Sequence, residues 1–318
     1  MEISNLSVKF PSLKGEVTAV DGISLSIDQG KVLGLAGESG CGKTTTGLTL
    51  LRMIKPPGVV EGDIEFAGRN LLSLSDEELR RFRWKEVSMI FQGAMNSLNP
   101  VKMVGSQIAD SIMDHTKKTR LEALKMSAEL IRRVRLPPDS IHKYPHQLSG
   151  GQKQRVVIAM AIALQPKLII ADEPTTALDV VSQERILDLL KDIVSGGSST
   201  VLFISHDLSV LAKMCDTIAI MYLGKIVEMG STMDVLASPA HPYTSALIDS
   251  NITIESMNST VESIKGYPPI PINLPTNCRF SDRCPFATQE CFDSEPPQVD
   301  LKNGHVAFCY HPRKENGR

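Results

Sequence analysis

An eight-residue segment near the amino terminus constrains the fold of this chain more than any other feature. It reads Gly-Glu-Ser-Gly-Cys-Gly-Lys-Thr over residues 37–44 and matches the pattern GxxxxGKT. The short apolar run Lys31 to Ala36 precedes it, and a helical composition continues from Thr44 until Pro56. A strand, a glycine-rich loop and a helix in this order predict a phosphate-binding loop in an α/β protein.

The residue types in this loop suit a bound triphosphate. Glycines allow successive backbone N–H groups to point into one concavity, and the helix amino terminus adds a partial positive charge there. Lys43 would reach the β and γ phosphates, and the Thr44 hydroxyl would hold Mg²⁺. The alternative is an ordinary glycine turn that opens a helix. The residues expected to contact ATP and Mg²⁺ are Gly37, Glu38, Ser39, Gly40, Cys41, Gly42, Lys43, Thr44 and Thr45.

Length and charge narrow the class of protein. At 318 residues the chain exceeds the usual size of a single domain, so we expect a large core and an appendage. Its 34 basic and 36 acidic residues give a formal net charge of -2, without the basic excess of nucleic-acid binders, and we expect no nucleic-acid partner. No apolar stretch approaches the roughly 20 residues that cross a bilayer, which predicts a soluble or peripheral protein.

Hydrophobic patterning predicts the main elements. Alternating apolar residues predict antiparallel strands at Glu2 to Phe10 and Val17 to Ile27. The wholly apolar runs Leu168 to Ala171 and Val201 to Ile204 are typical of strands buried on both faces of a parallel sheet. Thr217 to Glu228 predicts a hairpin that turns near Gly224.

Two carboxylates follow one of these buried strands. Asp172 and Glu173 stand where the strand leaves the sheet, at the edge where open α/β sheets bind ligands. Asp172 suits Mg²⁺, and Glu173 could polarise the water that attacks a γ-phosphate. A lone Asp-Glu pair is more often a solvated turn, but the phosphate loop favours the catalytic interpretation.

A third motif carries a family resemblance. Leu148 to Gln152 reads LSGGQ, and Ser149 to Gly151 would open a helix, which is a possible anion site or simply a helix cap. The segment resembles the signature of the ATP-binding-cassette (ABC) ATPases, and the resemblance covers residues 1–235. It implies an α/β fold with a parallel-sheet core, an antiparallel β subdomain and a helical signature subdomain at about 95–165.

The resemblance also implies roles for other residues. Gln92 matches the glutamine that senses Mg²⁺ and moves with the transmembrane partner, and Ala177 to Asp179 matches the loop that crosses the dimer interface. His206 matches the switch histidine that contacts the γ-phosphate. The position that aligns with the adenine-stacking aromatic residue of the family is Lys14, which is not aromatic, so Phe10 is the candidate substitute if the loop carries an insertion. Packing in the first strand is the favoured role for Phe10.

In this family two cassettes bind head to tail. The resemblance implies that Ser149 and Gly151 clamp the ATP held by a partner cassette, which is a paralogue or an identical copy. Two transmembrane permease subunits would supply the pore, with the chain on the cytoplasmic face of the membrane. We expect their coupling helices to dock near Met95 to Pro100, unless that segment is only a surface loop.

The carboxyl-terminal part, residues 236–318, is rich in proline and irregular in pattern. His241 to Thr244, Asn277 to Phe280 and Arg283 to Pro285 resemble the extension of oligopeptide and dipeptide importer ATPases. The implied function is an ATP-hydrolysing importer subunit, served indirectly by an extracytoplasmic peptide-binding protein. An importer ATPase for nickel or sugar, or a soluble ABC ATPase acting on ribosomes or DNA, is the alternative.

A cysteine cluster lies in this extension. Metal–sulfur bonds supply folding free energy, so four thiolates could stabilise a segment that lacks a core of its own. In some members of the resembled group this arrangement of four cysteines carries a [4Fe–4S] cluster. Zinc bound by four cysteines and two disulfides are the alternatives. The candidate metal ligands are Cys278, Cys284, Cys291 and Cys309.

Overall fold

The structure is a computed structural model that describes residues 1–196, 199–252, 264 and 266–313. Parts of the predicted extension, 253–263, 265 and 314–318, lie outside the described residues. The chain forms two compact units. Unit 1 comprises Met1–Ile27, Val32–Ser73 and Phe203–Arg318, and unit 2 comprises Asp28–Lys31 and Leu74–Leu202. The boundary at residue 235 remains a prediction.

The helices and strands follow one another in an order that mixes both types. In chain order they are β1 (Glu2–Ser12), β2 (Gly15–Ser26), β3 (Val32–Ala36), α1 (Lys43–Leu50), β4 (Val59–Phe66), β5 (Arg69–Asn70), α2 (Asp76–Phe82), β6 (Val87–Ile90), α3 (Val104–His115), α4 (Arg120–Arg133), α5 (Gly150–Ala161), β7 (Leu168–Asp172), α6 (Val180–Ser195), β8 (Thr200–Ile204), α7 (Leu208–Met214), β9 (Thr217–Tyr222), β10 (Lys225–Ser231), α8 (Thr232–Ala237), α9 (Pro242–Ile252), α10 (Gln289–Asp293), β11 (Gln298–Asp300) and β12 (Val306–Phe308).

Unit 1 contains an antiparallel sheet with the strand order β2-β1-β4-β5. Leu6 and Val8 of β1 and Val20 and Ile23 of β2 are buried, as the alternating pattern predicts. Both strands expected from the amino-terminal sequence are therefore confirmed.

A second group of strands in unit 1 has the order β11-β12-β10-β9-β3. β3 runs parallel to β9, and β9 and β10 form an antiparallel hairpin that turns at Gly224, which confirms the predicted hairpin. β12 pairs with β10 through Ala307 opposite Glu228, and β11 pairs with β12. The segment expected to be irregular thus contributes two strands, which its proline-rich composition did not indicate.

In unit 2 the strand order is β8-β7-β6, with Thr200–Leu202 of β8 belonging to this unit. β6 and β7 are parallel, and every residue of β6, β7 and β8 is buried. This confirms the prediction of strands buried on both faces. The region expected to be mainly helical contains α3, α4 and α5.

The helix after the phosphate loop is shorter than predicted. The composition indicated a helix up to Pro56, but α1 ends at Leu50. Arg52 adopts a left-handed conformation with φ of 47°, and Met53 N–H donates to the Leu48 carbonyl at 2.9 Å. A left-handed residue followed by this backward hydrogen bond terminates helices before any proline is reached.

Among the described residues no helix has the length and apolar character of a membrane span.

Candidate functional site

The phosphate loop in unit 1 connects β3 to α1 and requires glycine at two crowded positions. Gly37 has φ of 146° and Gly42 has φ of 108°. A Cβ atom at Gly37 would lie 2.1 Å from the Met221 carbonyl oxygen, and one at Gly42 would lie 2.2 Å from the Ala19 carbonyl oxygen. The loop therefore packs directly on neighbouring backbone, and any side chain at these positions would displace it.

Lys43 is held inside this loop. Its side chain is buried, and its Nζ donates to the carbonyl oxygens of Gly37 at 2.8 Å and Glu38 at 2.9 Å. Thr44 is exposed and Thr45 is half-buried at the start of α1. The loop thus carries a cation with a set position beside an accessible hydroxyl, which are the groups expected for a triphosphate and its Mg²⁺.

Cys41 lies beneath the loop. Its Sγ is 3.5 Å from Lys43 Nζ, and a Cβ atom at Gly37 would lie 2.8 Å from the same sulfur. Burial raises the pKa of the Cys41 thiol above its usual range, although the ammonium of Lys43 partly offsets this. Because its pKa is raised, the thiol is neutral at physiological pH.

His206 follows β8 in unit 1, near the start of the phosphate loop. Ser205 N–H donates to the Leu35 carbonyl at 3.2 Å, which places His206 beside the end of β3, where the phosphate loop begins. His206 is exposed. Phe10, the candidate for adenine, has its ring against the backbone of Gly58, where a Cβ atom would lie 2.7 Å from Phe10 Cε1. This contact favours the packing role.

In unit 2 the structure brings together two predicted residues 81 positions apart. Asp172 ends β7 and is buried, and Glu173 follows with a left-handed φ of 45°. Gln92 Nε2 donates to Glu173 Oε2 at 2.9 Å, and the Thr176 hydroxyl donates to the same oxygen at 2.9 Å. Two donors therefore orient the Glu173 carboxylate. Thr176 was missed, although a hydroxyl three residues after Glu173 is within reach of a turn.

The LSGGQ segment begins α5 in unit 2. Ser149 Oγ accepts from the Gln152 N–H at 3.3 Å, and Gln152 Oε1 accepts from the Ser149 N–H at 3.0 Å, so the two residues form a capping box. Gly150 and Gly151 make the first turn, and a Cβ atom at Gly151 would lie 2.9 Å from Ser182 Oγ. A side chain at Gly151 would therefore require Ser182 to move, whereas a Cβ atom at Gly150 would make ordinary contacts.

Asp179 begins the neighbouring helix. Its carboxylate accepts from the Ser182 N–H at 2.9 Å and caps α6, and hydrogen bonds from Ser182 lower the pKa of Asp179. A Cβ atom at Gly150 would lie 3.6 Å from Leu178 Cδ2 and from Met95 Sδ. The signature helix and the Ala177 to Asp179 segment are therefore packed together, as neither motif alone indicated.

The four cysteines of the extension converge in unit 1. Cys278, Cys284, Cys291 and Cys309 line one small cavity that also involves Phe280 and Phe286. Each is a free thiol, which leaves the disulfide alternative without support. Burial raises the pKa of Cys278 and that of Cys309 to about 11. Within the described ranges no three His, Cys, Asp or Glu side chains are arranged around a point that one metal ion could occupy.

Comparison with known proteins agrees with the family resemblance of the sequence. A family model described as ABC transporter matches residues 20–176. The oligopeptide transport ATP-binding protein OppD of Bacillus subtilis is 41% identical, over 98% of this chain and 89% of its own. The chain belongs to the ABC transporter family. The dipeptide transport ATP-binding protein DppD of Lactococcus lactis is also 41% identical, over 96% of this chain and 89% of its own.

Two further matches were found for this ABC protein. A model described as the C-terminal region of oligopeptide and dipeptide transporters matches residues 227–291. The solved ATP-binding cassette MJ0796, in a dimeric post-hydrolysis state bound to ADP and Pi, has a TM-score of 0.65 and 28% identity, and the match covers 73% of this chain and 98% of that one. The predicted family and fold class are confirmed.

Proposed function

We propose that this chain is the ATP-binding and ATP-hydrolysing subunit of an importer for dipeptides or oligopeptides. The observation that carries the hydrolytic part is the orientation of the Glu173 carboxylate by Gln92 and Thr176. A carboxylate with a set direction next to the Mg²⁺ candidate Asp172 is suited to accept a proton from an attacking water. Mg²⁺ bound with ATP would neutralise the phosphate charge that develops during transfer.

The remaining roles follow from the residues on each unit. Lys43 and Thr44 would bind the phosphates and Mg²⁺, His206 would contact the γ-phosphate, and Ser149 with Gly151 would contact ATP on a second cassette. Relatives named for oligopeptide and dipeptide transport support the substrate class. We further propose two permease subunits, a paralogous or identical partner cassette, an extracytoplasmic peptide-binding protein, and a place on the cytoplasmic face of the cell membrane.

Replacing Glu173 by Gln tests the hydrolytic role. The variant keeps the shape of the side chain and its oxygen acceptor but loses the base, so ATP hydrolysis should fall by about 100-fold or more. Its dissociation constant for MgATP should stay within about twofold of wild type. Glu129→Gln on the exposed face of α4 is the matched control. Undiminished hydrolysis in Glu173→Gln removes Glu173 from the role of base.

An uptake assay tests the substrate class. Cells without this chain should lose accumulation of labelled di- and tripeptides, and the wild-type chain should restore it while Glu173→Gln does not. The same cells are assayed for nickel and for sugars. Restoration of nickel or sugar uptake without any effect on peptides would replace the peptide assignment and leave the ATPase assignment intact.

We propose in addition that the four cysteines hold a [4Fe–4S] cluster. Their convergence as free thiols on one cavity supports a soft-metal site. A single zinc ion requires four sulfurs at about 2.3 Å from one point, whereas a four-iron cluster accepts each cysteine on a different iron. The cysteines also lack the two- to four-residue gaps that are usual within zinc-binding pairs, so we rank the cluster above zinc. Bound to these thiols, the cluster would supply folding free energy.

Metal analysis of anaerobically purified protein tests this assignment. Iron and acid-labile sulfide at about four per chain, with visible absorption that disappears in Cys309→Ser, are expected. The same serine change at Cys215, outside the cluster, is the control and should leave the metal content unchanged. Stoichiometric zinc in a colourless protein, or no bound metal, would refute the cluster.

A further inference from the structure

A residue of the extension is joined to the phosphate loop by a two-pronged ion pair. Arg283 Nη1 lies 2.8 Å from Glu38 Oε2, and Arg283 Nη2 lies 3.1 Å from Glu38 Oε1. The two residues are 245 positions apart and both belong to unit 1. The side chain of Arg283 is 6% exposed and that of Glu38 is 24% exposed. A bidentate pair with one nearly buried partner restricts geometry far more than a surface ion pair.

Other groups fix the direction of the Arg283 guanidinium. Nη1 also donates to the Tyr222 hydroxyl and Nη2 to the Gly266 carbonyl, both at 3.2 Å. The guanidinium lies 5.7 Å from the ring centre of Tyr222 and 5.9 Å from that of Phe280. Burial alone would lower the pKa of Arg283, but the hydrogen bonds to Glu38 and Tyr222 raise it above its usual value. The guanidinium is thus charged and oriented before any ligand binds.

The extension also holds the backbone of the same loop residue. Glu38 N–H donates to the Tyr243 hydroxyl at 2.9 Å, and Tyr243 on α9 is fully buried. Its ring lies 4.7 Å from that of Tyr222 and 5.3 Å from that of Phe280. Residue 38 is therefore held from two sides, through its carboxylate and through its amide.

The opposite end of residue 38 contacts the phosphate-binding lysine. The Glu38 carbonyl oxygen accepts from Lys43 Nζ at 2.9 Å. Arg283, Glu38 and Lys43 are consequently consecutive members of one hydrogen-bonded chain. A change in the position of the Glu38 peptide would move the carbonyl that places the ammonium.

We propose that Arg283 is a positioning residue for the phosphate loop, so that the carboxyl-terminal extension takes part in binding ATP. The ion pair holds the Glu38 peptide in place, and the loop amides and Lys43 receive the triphosphate without first being ordered. Pre-organisation of this kind increases affinity because less conformational freedom is lost on binding. The inference goes beyond the proposed transport function, since it requires only that this chain binds ATP.

The first test measures the affinity of the full-length chain for MgATP by displacement of a fluorescent ATP analogue. Arg283→Gln should raise the dissociation constant by about tenfold, which corresponds to about 1.4 kcal/mol. Arg279→Gln is the matched control, because Arg279 lies in the same segment, is equally buried, and bonds Asp21 and the Leu223 carbonyl instead of loop residues. It should change the dissociation constant by less than about twofold. Equal losses in both variants would reduce Arg283 to a general anchor of the extension and overturn the proposal.

The second test approaches the pair from its other end. Glu38→Gln removes the carboxylate and leaves the extension unchanged, so it decides the matter if Arg283→Gln does not fold. It should weaken MgATP binding as much as Arg283→Gln, and the double variant should be no weaker than either single one. In hydrolysis assays the KM for ATP should rise by about tenfold while kcat changes by less than about twofold. Additive losses in the double variant, or a fall in kcat with KM unchanged, would overturn the proposal.

Discussion

Replacing Glu228 by Gln should destabilise unit 1 more than any exposed change of the same kind. Glu228 lies on β10 and its side chain is 0% exposed. Its carboxylate accepts from the Ala240 N–H at 2.7 Å and from the His241 N–H at 2.8 Å, and His305 Nε2 lies 2.7 Å from Oε1. One core side chain thus holds the segment that enters α9 and the residue that precedes β12.

The magnitude follows from counting what an amide cannot do. Gln retains one oxygen acceptor, and its NH₂ group would face a backbone N–H or the imidazole of His305. With its oxygen in the place of Oε1, Gln still accepts from Ala240, but the hydrogen bond from the His241 N–H to a charged acceptor is lost. That loss costs about 1.5–3 kcal/mol, and the buried N–H left without an acceptor adds about 1–3 kcal/mol. Removing one partner of a buried charged contact costs about 3–5 kcal/mol, which agrees with this sum. We therefore expect Glu228→Gln to lower the free energy of unfolding by about 3–5 kcal/mol.

Urea denaturation followed by circular dichroism measures this loss. Glu295→Gln is the matched control, because Glu295 is 53% exposed and pairs with Lys225 at the surface. Its cost should be below about 1 kcal/mol. A loss below about 1 kcal/mol in Glu228→Gln would show that water or a rearranged amide satisfies the orphaned donors, and the reasoning from burial would be refuted.

Three further predictions concern the candidate nucleotide site. Ser149→Ala and Ser75→Ala each remove a helix cap of the same type, so each should lower the free energy of unfolding, measured by urea denaturation, by about 1 kcal/mol. Only Ser149→Ala should also abolish most ATP hydrolysis. Equal rates of hydrolysis in the two variants would contradict the clamping role. Gly37→Ala should lower the midpoint of thermal unfolding more than Gly40→Ala. A Cβ atom at Gly37 would lie 2.1 Å from a backbone carbonyl oxygen, whereas one at Gly40 would have nothing within 4 Å. A larger decrease in Gly40→Ala would be inconsistent with the loop geometry. When the native protein is treated with a maleimide at neutral pH, Cys41 should remain unmodified, because burial raises the pKa of its thiol. Mass spectrometry of the treated protein measures the labelling. Rapid labelling of Cys41 would show that the thiol is not buried.

Much of the strand framework could be predicted, because the pattern that marks each strand or turn lies within a few consecutive residues. Strands such as β7 and β8 are continuous apolar runs, and the β9–β10 hairpin is marked by the glycine at its turn. The predicted end of α1 was wrong, because the helix is terminated by the left-handed conformation of Arg52, which an arginine in the sequence does not indicate. The strands β11 and β12 were missed, since three-residue strands are stabilised by pairing with β10 rather than by their own patterns.

The sequence by itself determined which residue types each motif brings together. The phosphate-loop pattern, the Asp172–Glu173 pair at the end of β7 and the serine cap of α5 each consist of residues a few positions apart, so each pattern can be recognised along the chain. Only the tertiary structure decided that Gln92 orients Glu173, that Arg283 holds Glu38, and that four separated thiols share one cavity. The physical reason is that hydrogen bonds and ion pairs depend on distances in space. Spacing in sequence sets no such distance once tens to hundreds of residues intervene, and the folded path of the backbone alone brings these partners together.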